Sequence, residues 1–173
     1  MKKLIPRYQY GNLIKPKYKK SEQAYYDKDT DTVYAPDSLG EFYHHEMFHA
    51  RPDSAELVRL KPYYDNLNDN KLLELGADLP FVKRINNDPG YLYNPEEVGA
   101  RVKAARHMLN NAGVKKIDKS FFKEARKNEN AYGNNFRDLL HMYNDNNLIG
   151  IFGNSHTTAG YLYNNNEKNN NTN

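Results

Sequence analysis

Between Pro36 and Pro52 the chain has room for one short helix, and the residues inside that stretch constrain the fold more than any others. Asp37 or Ser38 can cap a helix start, and Glu41, three residues after Ser38, would complete a capping box. The spacing predicts a helix over 39–50. Pro52 ends it, because proline has no N–H to give and biases Arg51 away from helical geometry. Inside this helix the sequence reads His45-Glu46-Met47-Phe48-His49. Residues four apart on a helix are rotated by about 40° and raised by about 6 Å. His45 and His49 therefore project from one face, where their imidazoles can converge on a single ion. Glu46 adjoins the first histidine, so its carboxylate can take a proton from a metal-bound water and pass it to a leaving amine. This is the mechanical content of an H-E-x-x-H motif. His44 has Phe48, not a histidine, four residues on, and reads as a half-exposed helix residue or a contact behind the ligands.

The chain contains no cysteine, so any metal must be held by histidine and carboxylate. A catalytic zinc takes three protein ligands and keeps a fourth position for water, and the histidine pair needs one more partner. Residues 94–101 are the best source. Pro95 suits the first helical position, and Glu96 and Glu97 follow in the first turn, where the helix dipole favours carboxylates. Either could ligate, and either could simply decorate the helix end. Asp53 also follows the second histidine, but Pro52 leaves its direction open and it stands behind the Glu pair. His107 lies ten residues beyond Glu97, about 80° around the same helix, and is expected to face elsewhere. His156, in the run Gly153-Asn154-Ser155-His156, reads as a loop residue.

A length of 173 residues suits one compact domain with decorated ends. Residues 1–20 are rich in Lys, Tyr, Pro and Gly without a sustained period and are expected to be an extended or mobile arm. Residues 21–152 hold the domain. Residues 153–173 form an Asn-rich tail, nearly all Asn from Asn164, that cannot bury enough apolar area to offset its ordering entropy, and disorder is expected there. Two β-favouring runs, 23–27 and 31–35, flank the polar turn Lys28-Asp29-Thr30 and predict a hairpin. Helical patterns follow at about 53–60, 69–76, 95–110, 118–127 and 135–144. The expected architecture is α+β and mainly helical, with a small hairpin or sheet ahead of the motif helix and the Glu97 helix crossing it.

Charge adds little. Lys plus Arg number 25 against 22 Asp plus Glu, giving +3 spread along the chain, which argues against nucleic acid as a partner. The basic stretch around Lys17, Tyr18, Lys19 and Lys20 is expected to be solvated surface. The start, Met1-Lys2-Lys3, lacks the apolar run of a signal peptide. No segment approaches the roughly 20 apolar residues of a membrane span. A soluble protein is expected, in a host cytoplasm or carried by a virus particle, with no membrane partner.

The hairpin, the His45–His49 motif and the Glu97 segment together resemble the Glu-type zincins, a family of zinc metallopeptidases. In such families the third ligand often lies in a pattern like E-x-x-A-R, here Glu97-Val98-Gly99-Ala100-Arg101. The resemblance selects Glu97 over Glu96. It implies a zinc ion held by His45, His49 and Glu97, Glu46 as general base, and a peptide or protein substrate. It also implies that the strand at 31–35 is an edge strand along which an extended peptide lies. Tyr91, Tyr93, His141 and Tyr143 are candidates to stabilise the oxyanion, although packing is the simpler role for each. The opening residues 3–12 and the high Asn, Lys and Tyr usage resemble the starts of some gut bacteriophage proteins, which implies association with phage particle components. The competing reading is a phage structural or interaction protein with a closed zinc site that only cross-links helices, or with no zinc.

Overall fold

The computed structural model describes residues 15–65, 91 and 94–152. It opens on three short strands, β1 (Lys17–Lys20), β2 (Tyr25–Asp27) and β3 (Thr32–Ala35). β2 and β3 pair antiparallel as the expected hairpin, with Tyr26 opposite Val33. Asp27 shapes the turn by accepting from the backbone N–H of Asp29 at 3.0 Å and the hydroxyl of Thr30 at 2.6 Å. Asp31 closes it in the left-handed region, at φ 48°.

β1 comes from the segment expected to be an arm. It pairs parallel with β3, Lys19 opposite Tyr34, and the sheet order is β1-β3-β2. This corrects one expectation: residues 31–35 are not an edge. β3 is paired on both sides, and the outer strands are β1 and β2. Burial explains the order. Val33 and Ala35 are fully buried, so β3 takes the centre, while every residue of β1 is exposed, which suits an edge.

Six helices follow among the described residues: α1 (Glu41–Ala50), α2 (Ser54–Tyr64), α3 (Pro95–Asn111), α4 (Lys119–Ala125), α5 (Asn134–Met142) and α6 (Asp145–Phe152). The fold is therefore α+β and mainly helical, with a small mixed sheet before the motif helix. The helix expected at 69–76, residues 1–14 of the arm and the tail at 153–173 lie outside the described residues. α6 is an element the sequence reading missed. Its start is built from turn-forming residues, and Asn144 caps it by accepting from the N–H of Asn147 at 2.9 Å.

α1 begins two residues later than expected, and its capping box does not form. Gly40 occupies the N-cap and offers no side chain; Asp37 instead accepts from the N–H of Leu39 at 2.9 Å. With the helix starting at Glu41, that carboxylate has no reason to turn back on its own N-terminus, and it reaches α5.

α3 is the central helix. Val98, Val102, Ala105 and Leu109 pack with Leu60 of α2, with Phe122 of α4, with Phe136 and Leu139 of α5 and with Leu148 and Ile151 of α6. α1 packs along α3, from His49 beside Glu97 to His44 stacked on His107, and also packs against β2 and β3. No helix among the described residues is long and apolar enough to cross a membrane.

Candidate metal centre

Two helices bring the site together. α1 presents His45 and His49 one turn apart, and the first turn of α3 presents Glu97. Pro95 and Asn94 start α3 at the right place, Asn94 capping it by accepting from the N–H of Glu96 at 2.9 Å. Gly99 lets the helices approach. A Cβ there would lie 2.5 Å from the Phe48 ring, so no larger residue fits without a shift. The structure distinguishes the two glutamates, since Glu97 is buried while Glu96 is exposed.

His45 Nε2 lies 3.3 Å from Glu97 Oε2, and His49 Nε2 lies 3.1 Å from Glu97 Oε1. Donor atoms of all three residues fall within 4.8 Å of one another. Ligands about 2.0–2.1 Å from a tetrahedral zinc are separated from each other by about 3.3 Å, and the two histidine–carboxylate contacts, each to a different oxygen of Glu97, are close to that length. Glu97 Oε2 is also buried without a well-formed hydrogen bond. Among the described residues the cluster holds three donors, the number that a catalytic zinc takes from its protein.

The electrostatics follow from burial and contact. Burial pushes the Glu97 carboxyl up, but the adjoining His45, His49 and Tyr91 outweigh it and hold the group well below the usual carboxylate range. Burial opposes protonation of His49, yet Glu97 raises it above the ordinary histidine value. Glu46 is raised by burial, partly countered by the two histidines and by the backbone N–H of Tyr26 on β2. That last contact places an outer strand of the sheet beside Glu46. The hairpin is fixed there by Arg51, which follows α1 and grips Asp31 through two contacts of 3.0 and 2.8 Å, while the Tyr26 hydroxyl donates to Asp31 at 2.8 Å.

Behind the ligands, His45 Nδ1 lies 2.9 Å from Asn135 Oδ1. Asn135 in turn donates from Nδ2 to Glu41 Oε2 at 3.2 Å. Arg101, one turn after Glu97, has Nη2 at 3.8 Å from Glu97 Oε2 and Nε at 3.8 Å from Asp138 Oδ2. Its guanidinium sits 5.3 Å from the centre of the Tyr91 ring. Nothing in the sequence singles out Asn135, which stands 90 residues from His45. Glu41 was visible only as a capping residue of its own helix.

The other candidates have different surroundings. His44 turns away from the cluster and stacks on His107, with ring centres 3.5 Å apart. Burial first, then the neighbouring His107 and Lys103, pushes His44 down to about 4. Asp53 is the N-cap of α2, accepting from the N–H groups of Ala55 and Glu56 at 3.0 and 3.1 Å. His141 pairs with Glu129 at 3.1 Å, and Tyr143 is buried in the helical core edge-on to Tyr63. Of the oxyanion candidates, Tyr91 is the one beside the cluster. Burial raises its hydroxyl above the ordinary tyrosine value, and its hydrogen bond to Glu97 adds to that. Tyr93 and His156 lie outside the described residues.

Compared with known proteins, the chain matches no protein-family model, no curated protein and no solved structure. The likeness to the zincins therefore rests on the motif and on how its residues meet.

Proposed function

We propose that the protein is a zinc-dependent peptidase in which His45, His49 and Glu97 hold the metal and Glu46 is the general base. The observation that carries this reading is the convergence of the three donors at separations of 3.1 and 3.3 Å, with Glu46 next to His45. Three protein ligands with one open position favour a catalytic over a closed structural site. When bound, zinc would acidify water and polarise the scissile carbonyl.

The chain's own residues supply the rest. Glu46, half-buried and raised by that burial, accepts a proton as the nucleophile attacks and returns it to the leaving amine. Glu97 stays ionised and neutralises part of the metal's charge. Tyr91 hydrogen-bonds Glu97 and is, among the described residues, the candidate hydroxyl for a developing oxyanion. β2, whose Tyr26 N–H faces Glu46, is the strand along which an extended peptide would lie.

The test is a pair of measurements on the purified chain. Metal content by mass spectrometry should give about one zinc per chain, lost or strongly weakened in His49→Ala and Glu97→Ala. Glu46→Gln should keep the zinc and lower peptide turnover by about a hundredfold or more. A Glu46→Gln protein as active as wild type would remove Glu46 as the base, and wild type without affinity for zinc would remove the metal site altogether.

A further inference from the structure

Glu41 and Asn135 take no part in the chemistry just described, yet they form a continuous hydrogen-bonded chain to a metal ligand. Glu41 is buried at the start of α1. Its carboxylate accepts from the backbone N–H groups of Asn134 and Asn135, both at 3.0 Å, and from their side-chain amides at 3.0 and 3.2 Å. It thus caps α5 from another helix. The N-cap of α5 is Gly133, at φ 88°, which has no side chain to do this; a Cβ there would lie 2.5 Å from Glu41 Oε2.

This capping decides the orientation of Asn135. An ionised carboxylate only accepts, so the amide nitrogen of Asn135 must face Glu41. Its carbonyl oxygen then faces His45 Nδ1 at 2.9 Å. That oxygen also only accepts, so Nδ1 must carry the hydrogen. A neutral ring protonated at Nδ1 keeps its lone pair on Nε2, the atom that lies 3.3 Å from Glu97 in the cluster.

We propose that Glu41 and Asn135 are positioning residues of the metal centre, presetting His45 as an Nε2 ligand and coupling metal binding to the docking of α5 on α1. This rests on the reading of His45, His49 and Glu97 as metal ligands. The coupling is reciprocal: whatever the docked α5 contributes to metal affinity, bound metal contributes to keeping α5 docked.

The test uses the full chain and zinc alone, with affinity read by competition against a chromogenic chelator. Asn135→Leu keeps the branching of the side chain and removes its hydrogen bonds to His45 and Glu41, and should weaken zinc binding by about tenfold to a hundredfold. Glu41→Gln, the milder change, should weaken it by a smaller factor and serves if Asn135→Leu does not fold. Asn134→Ala removes one amide contact to Glu41 but keeps α5 docked through the backbone N–H groups and Asn135, and should leave zinc affinity within about twofold of wild type. Two readouts separate positioning from general destabilisation. In the zinc-loaded, 15N-histidine-labelled protein, His45 should show a slowly exchanging Nδ1–H resonance that exchanges rapidly in Asn135→Leu. Zinc should also slow amide hydrogen exchange across residues 134–142 in wild type, and much less in Asn135→Leu saturated with zinc. Wild-type zinc affinity in Asn135→Leu, or in Glu41→Gln where the former does not fold, would overturn the inference while leaving the metal site standing. An Nε2–H resonance on His45 in the loaded protein would do the same. Wild type that binds no zinc would instead remove the underlying site.

Discussion

Gly99 sets how closely the two helices that carry the candidate ligands can lie. Its missing side chain leaves the space taken by Phe48, two ring atoms of which would be 2.5 and 2.6 Å from a Cβ, with Leu57 at 3.2 Å. Gly99→Ala gains some helix propensity, about 1 kcal/mol, but forces α3 away from α1 at the level of Glu97. Overpacking of this kind costs about 1–3 kcal/mol. If the strain is relieved by moving Glu97, zinc affinity should fall about tenfold to a hundredfold, which chelator competition would measure. Unchanged affinity would mean that Phe48 gives way instead. The shared face of His45 and His49 was legible in the sequence because a four-residue spacing is a property of any helix and needs no tertiary information, whereas Glu97 was preferred to Glu96 only through the family resemblance. Gly99 was legible only as a letter in a pattern, since nothing in the sequence says which helix it faces. Asn135 and Glu41 were not legible as a pair for the same reason. Their meeting depends on where α5 docks.

Among the elements, α2, α3 and α6 meet at a charged corner. Glu56 of α2, with its side chain 13% exposed, accepts from Arg59 at 2.8 and 2.9 Å and from Arg106 of α3 at 2.6 Å. Both arginines also donate to the carbonyl of Ile151 at the end of α6, at 3.1 and 2.8 Å. Among the described residues this carbonyl has no partner within the helix, so the corner caps the last turn of α6. Burial pushes the Glu56 carboxyl up, but the Arg59 hydrogen bonds and the Arg106 charge outweigh it and hold it below its ordinary value of 4.5. The unfolded chain therefore takes up this proton first. The contribution of Glu56 is present above about pH 4.5 and is lost as pH falls below that through the lowered native value. Glu56→Gln leaves two arginines short of a counter-charge and should lose about 3 kcal/mol at neutral pH in urea melts. Its stability should also change less than that of wild type as pH falls below 4.5. This corner explains why α6 was missed. An eight-residue helix with Gly150 inside it has little propensity of its own and is held by side chains from two earlier helices. β1 was missed for a related reason, because its pairing with β3 is tertiary and its lysine-rich sequence carries no apolar alternation.

For the whole molecule, the metal would join the sheet-bearing half of the chain, through α1, to the helical core, through α3. An ion that binds only the folded chain stabilises it by mass action. At a free zinc concentration a hundredfold above Kd the gain is about 2.7 kcal/mol. Chelation should therefore lower Tm by about 5–10 °C for a domain of this size, and the shift should scale with the logarithm of added zinc. Glu97→Ala should show no such dependence in differential scanning calorimetry. At this scale the fold class was legible, because the helical periodicity after the hairpin outweighs the few strand residues. The strand order was not, since β1 lies outside the hairpin. That order has a further consequence. Among the described residues the sheet ends on one side at β1, whose Lys17, Lys19 and Lys20 are all exposed. An open strand is a template on which another molecule can add its own, and two such edges meeting here would bring ammonium against ammonium. The lysines that looked like solvated decoration would thus oppose edge-to-edge pairing of two such sheets.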